Sequence, residues 1–429
     1  MLKTSRALSA CRPRVTPVRR CSSTFANDEP KPWPKKTQMP VHYRDRDKRI
    51  VNRDSPKGSR ILSLKAHNGL TTVSHEVLRS VTQHIRMWDE NFMVQMSVIQ
   101  GPGSDFCSGL NLQDIRGRPL QVRYTLEALC RLVSTIRACR APVLSVINGP
   151  SYGSAGHSLA SGRYRICTEK SMFCIPEATL GLGLAGGLSY VLPRLDSGNR
   201  ALGLCLGLSG MALQGADLLT AQLASQYFTY DHLATLVERV TDAQSVPHSP
   251  FEDLDKNEPT GAGRPAVLRM IEDICDLSYN VDGIDSNDFS MKGEDGRPEE
   301  HRSPLHDILP EVERVFTVDS VEEALDNLAG STSPWAQSAL KNMGRSSPLS
   351  LKTIFEQVTR GATNSLEECL DDEFAVNTNL FAMDDFESAM QAHEYPEDGP
   401  PKWSSSRLED VSLHHVVEVF KPPAYPRQR

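Results

Sequence analysis

The chain has 429 residues, 39% of them hydrophobic, and a formal net charge of −7. That length exceeds one small domain and fits one large domain with additions. No basic excess points to nucleic acid from composition alone, and no apolar run is long enough to span a bilayer, so a soluble protein with no membrane partner is expected.

In chain order, residues 1–26 carry Lys3, Arg6, Arg12, Arg14, Arg19 and Arg20 before the first acid, Asp28, among many Ser and Thr. That composition reads as a mitochondrial transit peptide and predicts a matrix protein. Residues 27–58 are polar, Pro-containing and mixed in charge, and read as an extended arm with little core of its own. The ten cysteines are scattered without C-x-x-C pairs, which argues for reduced thiols and no metal site.

"RILSLKA" alternates like a strand. "SHEVLRSVTQHIRMWDEN" has helical spacing through Val77, Leu78, Val81, Ile85 and Trp88, and "FMVQMSVIQG" reads as a buried strand. Strand, helix, strand predicts an α/β fold with a parallel sheet. The pattern continues with helix "QVRYTLEALCRLVSTIRAC", strand "PVLSVING", a Gly-rich turn, a helix, strands "YRICTE" and "SMFCIPE", and a further helix. Residues 242–305 are acidic and rich in Gly and Pro, and read as surface insertion around a short helix, "AVLRMIEDICDLSY". Residues 306–405 are helical in pattern, and 406–429 read as a basic, Pro-rich tail.

Two small-residue loops each follow a predicted buried strand: "GPGSDFCSGLNLQDI" from Gly101 and "NGPSYGSAGHSL" from Asn148. Small residues there let backbone N–H groups approach a ligand, as an oxyanion hole requires. The two loops in this order, followed by "IPEATLGLGLAGG", make the chain resemble the crotonase superfamily of enoyl-CoA hydratases and isomerases. "FCSGLNL" is similar to the family's F-C-A-G-G-D-I, and "NGPSYGSAGHSL" to its N-G-x-x-x-G-G-G turn. The later segments "SVEEALDNL", "SSPLSLKTIFEQVTRGATNSLEECL", "DDFESAMQA" and "PPKW" resemble the 3-hydroxyisobutyryl-CoA hydrolase subfamily.

The resemblance implies a crotonase (ClpP-like) fold, with repeated ββα units in a two-sheet spiral over residues 59–241 and a helical C-terminal part. It implies that the backbone N–H groups of Leu110 and Ser154 hold a thioester oxygen, with Glu177 as base or nucleophile. Pro176-Glu177 also suits a helix N-terminus, so a plain capping role stays open. In register, the hydrolases' second acid falls on Ala185, which cannot move protons, and the acid on the helix between the loops falls on Ala128 or Leu129, with Glu127 adjacent. His157 stands where hydratases place a glutamate, as a substrate contact or as a hydrogen-bonded structural residue. On the CoA side "LKAHNGL" keeps only Lys65 as a cation, and Gln391 and Glu397 stand where Arg and Lys are expected.

The expected function is therefore 3-hydroxyisobutyryl-CoA hydrolysis in mitochondrial valine breakdown, with activity reduced or lost through Ala185. No cofactor is implied beyond the CoA thioester as substrate. Relatives of this hydrolase are components of mitochondrial ribosomal small subunits, so the alternative is a catalytically degenerate component bound to rRNA and ribosomal proteins. A single-glutamate enoyl-CoA isomerase is the second alternative. Nothing in the sequence fixes the oligomeric state.

Overall fold

The computed structural model describes residues 50–54, 59–67, 69–195, 198–242, 303–424 and 427. The chain divides into residues 1–48, which lie outside that description, and a compact unit of residues 49–429. The expected transit peptide, most of the arm and the helix expected in the acidic insertion all fall outside the described residues.

The main sheet has six strands in the order β1-β2-β3-β4-β6-β9. These are β1 Ile50–Asp54, β2 Ser59–Leu64, β3 Met96–Gln100, β4 Val143–Ile147, β6 Tyr164–Cys167 and β9 Gln226–Tyr227. All neighbours are parallel except β1 and β2, which pair antiparallel from Ile50↔Leu64 to Asp54↔Arg60. A smaller sheet joins β5 Pro150–Tyr152, β7 Met172–Cys174 and β8 Leu213–Gln214 in that order. The α/β reading of the sequence thus holds. The arm needs correction: its end, Ile50–Asp54, is an edge strand of the sheet and Ile50 is buried. The strand escapes a pattern search because it is five residues long and mostly polar.

Helix α1, His75–Glu90, covers the sheet with Val77, Leu78, Val81, Ile85 and Trp88 buried, and Ser74 caps its start by accepting from Val77 N–H. After it come α2 Leu112–Ile115, α3 Pro119–Ala138 and α4 Gly153–Leu159. Segment 177–180 is a 3-10 turn, not the α-helix start expected, because Gly181 closes it with φ +70°. Then follow α5 Leu188–Val191, α6 Arg200–Ser209, α7 Asp217–Thr220 and α8 Tyr230–Asp242.

The C-terminal part is helical as expected: α9 Pro304–Phe316, α10 Val321–Ala329, α11 Pro334–Met343, α12 Pro348–Gly361, α13 Leu366–Leu380 and α14 Asp384–Glu394. It shares the hydrophobic core of the sheet layer through Phe316, Leu351, Ile354, Val358, Leu370 and Phe374. The tail is a second correction. Residues 413–419 form α15, and Val411, Val416, Val419 and Phe420 are buried against Leu182, Val376 and Phe386. Arg427, which the sequence places in a basic tail, has its side chain buried and pairs with Glu367 at 2.6 Å and Asp371 at 2.7 Å, both on α13.

Candidate functional site

The two small-residue loops are stitched together by backbone. Phe106 N–H and Cys107 N–H both donate to Pro150 O, at 3.1 and 2.9 Å, and Tyr152 N–H donates to Cys107 O at 2.9 Å. That approach needs Gly149, whose φ is +112° and whose added Cβ would overlap Ser104 O. Leu110 bridges Val73: Val73 N–H donates to Gly109 O and Asn111 N–H to Val73 O. The N–H of Leu110 itself faces the other way and meets no acceptor among the described residues.

Glu177 lies at the foot of α4 and is 7% exposed. Its Oε1 accepts from the N–H and the hydroxyl of Ser154, each at 2.6 Å. Its Oε2 is buried without a partner among the described residues. Burial pushes the Glu177 carboxyl above its ordinary value, and the two bonds from Ser154 pull it back without cancelling the shift. In this geometry the Ser154 amide is taken by Glu177, so of the two expected oxyanion donors only Leu110 N–H stands free.

The other side of Ser154 is fixed by the glycine segment. Ala185 N–H donates to Ser154 Oγ at 3.1 Å, and Gly186, at φ +67°, packs so close that its Cβ would lie 2.5 Å from Ser154 O. Ala185 is 7% exposed and brings no acid to Glu177.

Three buried side chains from α12 and α13 hold segment 183–189 from behind. Gln357 accepts from Leu184 N–H at 2.8 Å and donates to Leu184 O at 3.0 Å. Asn377 accepts from Gly183 N–H and donates to Leu184 O. Glu373, fully buried, accepts from Gly187 N–H at 2.8 Å and from the N–H and hydroxyl of Ser189 at 2.8 and 2.7 Å. Burial pushes its carboxyl up to about 7, against these donors and Arg427. Sequence reading missed this trio. The available signal was a polar pair, Glu373 and Asn377, four apart on the apolar stripe of Leu370, Phe374 and Leu380.

The other expected residues lie apart from this cluster. Glu127, 5% exposed, pairs with Arg123 one turn earlier on α3 at 3.2 Å. His157, on α4, is buried with Nε2 unpartnered among the described residues. Burial, with Arg137 and Arg165 adding repulsion, pushes it down to about 3, so it is a neutral imidazole. Lys65 is exposed at the end of β2. A cavity of about 300 Å³ opens between the starts of α1 and α3, lined by Ser74, His75, Glu76, Asp114, Arg118 and Thr125 among others. It is next to Leu110, since Ser74 follows Val73, and the Thr125 hydroxyl is buried there without a partner among the described residues. Neither Glu177 nor Ser154 is on its wall, so this opening and the buried carboxylate are separate in this conformation.

The family profile described as enoyl-CoA hydratase/isomerase matches residues 59–420. Mitochondrial 3-hydroxyisobutyryl-CoA hydrolase of Gallus gallus is 27% identical over 370 residues, covering 85% of this chain and 87% of that protein. Small ribosomal subunit protein mS47 of Arabidopsis thaliana is 26% identical over 376 residues, covering 85% of this chain and 82% of that protein. The crystal structure of a carnitinyl-CoA dehydratase from Mycobacterium thermoresistibile superposes with a TM-score of 0.71 at 20% identity, covering 89% of this chain and 99% of that one, which shows the fold.

Proposed function

The chain belongs to the enoyl-CoA hydratase/isomerase family, with the 3-hydroxyisobutyryl-CoA hydrolases as its subfamily, and from that membership we propose that it is a mitochondrial acyl-CoA thioester hydrolase acting on 3-hydroxyisobutyryl-CoA. The observation that carries this reading is the Glu177 carboxylate. It is buried, clamped through Oε1 by Ser154, and left with Oε2 unpartnered among the described residues. A fixed carboxylate with one free oxygen and a raised pKa is a base poised nearer neutral pH than an ordinary glutamate. Leu110 N–H supplies a donor for the thioester oxygen. The relatives named mitochondrial support the location.

Incubation with 3-hydroxyisobutyryl-CoA and detection of free thiol tests the reading; no release above a Glu177→Gln background sinks it. A second variant reports on geometry. Gly153 has φ +58° and an added Cβ would lie 2.5 Å from Glu177 Oε1. Gly153→Ala is expected to displace the carboxylate and lower the rate about 100-fold, and to cost about 1–2 kcal/mol through the left-handed backbone. Steady-state rates and denaturant unfolding of the same preparation separate the two effects.

Three observations favour a second reading, a non-catalytic component of the mitochondrial small ribosomal subunit. Ser154 N–H is occupied by the chain's own carboxylate, Ala185 brings no second acid, and a ribosomal protein is among the relatives. On that reading the protein co-sediments with small subunits in a gradient of mitochondrial lysate; its confinement to light fractions overturns it.

A further inference from the structure

The glycine turn that the chain shares with its family has a serine at its centre, and that serine is bonded on both sides. Ser154 Oγ donates to Glu177 Oε1 at 2.6 Å and accepts from Ala185 N–H at 3.1 Å. A hydroxyl held between a base and an amide donor has its proton aimed at the base, its rotamer fixed and its oxygen polarised. These are the features of an activated nucleophile. We propose that Ser154 is the nucleophile of this site: its Oγ attacks the carbonyl carbon of an acyl-CoA thioester and carries the acyl group as an ester. The proposal rests on the hydrolase reading and deepens it.

The step balances with one carboxylate. As the Oγ–C bond forms, the hydroxyl proton passes to Glu177. Collapse of the tetrahedral adduct breaks the C–S bond, and the departing CoA thiolate takes the proton from Glu177. Water then attacks the acyl ester, Glu177 accepts a proton from it, and Ser154 Oγ leaves and recovers that proton. The sum is thioester plus water giving carboxylic acid plus thiol. The second acid of the hydrolase pattern has no task in this sequence, which accounts for Ala185 at its position.

The surrounding backbone fits these events. Leu110 N–H has no acceptor among the described residues and is available for the developing oxyanion. The two loops run side by side here, an added Gly109 Cβ lying 3.9 Å from Tyr152. Ser154 N–H is held by Glu177 only while Oε1 is a good acceptor. Protonation of Glu177 weakens that bond and frees a second donor at the moment charge develops on the substrate oxygen. A nucleophilic serine whose own amide helps bind the oxyanion is established chemistry.

The test uses the full chain, mixed with 3-hydroxyisobutyryl-CoA and quenched in acid at short times, followed by intact mass and peptide mapping. The expected result is a mass gain of one acyl group on the peptide containing Ser154. The adduct is absent in Ser154→Gly, and thiol release falls about 100-fold or more. Ser154→Cys keeps a nucleophile and is expected to trap the acyl group as a thioester at the same position, which guards against a fold defect in the glycine variant. Thiol release by Ser154→Gly at the wild-type rate, or an adduct on Glu177 in place of Ser154, overturns the proposal and leaves the hydrolase reading standing. An adduct on Ser154 without turnover supports the nucleophile and sinks the hydrolase reading. Neither adduct nor thiol release overturns both.

Discussion

On the proposed hydrolase function, Glu177→Gln is expected to lower thiol release from 3-hydroxyisobutyryl-CoA by about 10²–10⁴ and to leave the fold intact. Glutamine has the same shape, and its side-chain oxygen accepts from the Ser154 N–H and hydroxyl as Oε1 does. What is lost is the ability to take a proton, whether from water or from Ser154. Stability is expected to hold or rise slightly, because the variant removes a buried charge whose ionised form burial disfavours. The sign of the pH effect follows from the raised pKa. The folded state holds the Glu177 proton more tightly than the unfolded chain, so this group's contribution is fullest below the ordinary carboxylate value of 4.5 and declines as pH rises through the folded value. Wild-type kcat/KM is expected to rise on an acid limb lying above that ordinary value. Rate–pH profiles of wild type and variant, with unfolding curves of both, check all three points.

Glu373→Ala is expected to cost about 4 kcal/mol at mildly acidic pH, as three buried donors on Gly187 and Ser189 lose their acceptor and a cavity opens. The ordinary value for this carboxyl is 4.5, and burial pushes it up to about 7. Its contribution is therefore complete below 4.5 and is lost as pH rises toward 7, by on the order of 3 kcal/mol. The stability gap between wild type and variant should narrow across that window, measured as urea-unfolding free energies at several pH values. His157 contributes in the opposite sense: pushed down to about 3 from 6.5, it loses stability as pH falls through that range. It is present in both proteins, so the difference between them isolates Glu373. A gap that widens with pH would contradict the assignment.

The parts of the fold that carried strong periodicity were legible. The helix at 75–90, the buried strands at 96–100 and 143–147 and the helical C-terminal part lie close to where apolar spacing put them. Edges and ends were not. Ile50–Asp54 pairs through backbone atoms that any sequence supplies, and α15 is fixed by burial against α13 and α14, which is a tertiary effect. At the site, Glu177 and the two loops were legible as motif. That Glu177 would take the Ser154 amide was not, because a sequence shows which residues can donate and not where a neighbouring carboxylate points. Glu373 looked like any solvated helix acid, "DDEF", since its burial depends on a glycine segment far away in the chain.

That distance has a consequence for the order of folding. Leu184 N–H finds its acceptor 173 residues later in Gln357, Gly187 finds Glu373 186 residues later, and Gly183 finds Asn377 194 residues later. During synthesis the strands, the stitched loops and Glu177 all emerge before any of these three side chains exist. The glycine segment must wait with its amides solvated, paying the loop-closure entropy of a span that long only when α12 and α13 arrive. The Ser154–Glu177 contact, braced from behind by that segment, is thus one of the last features of the molecule to acquire its shape.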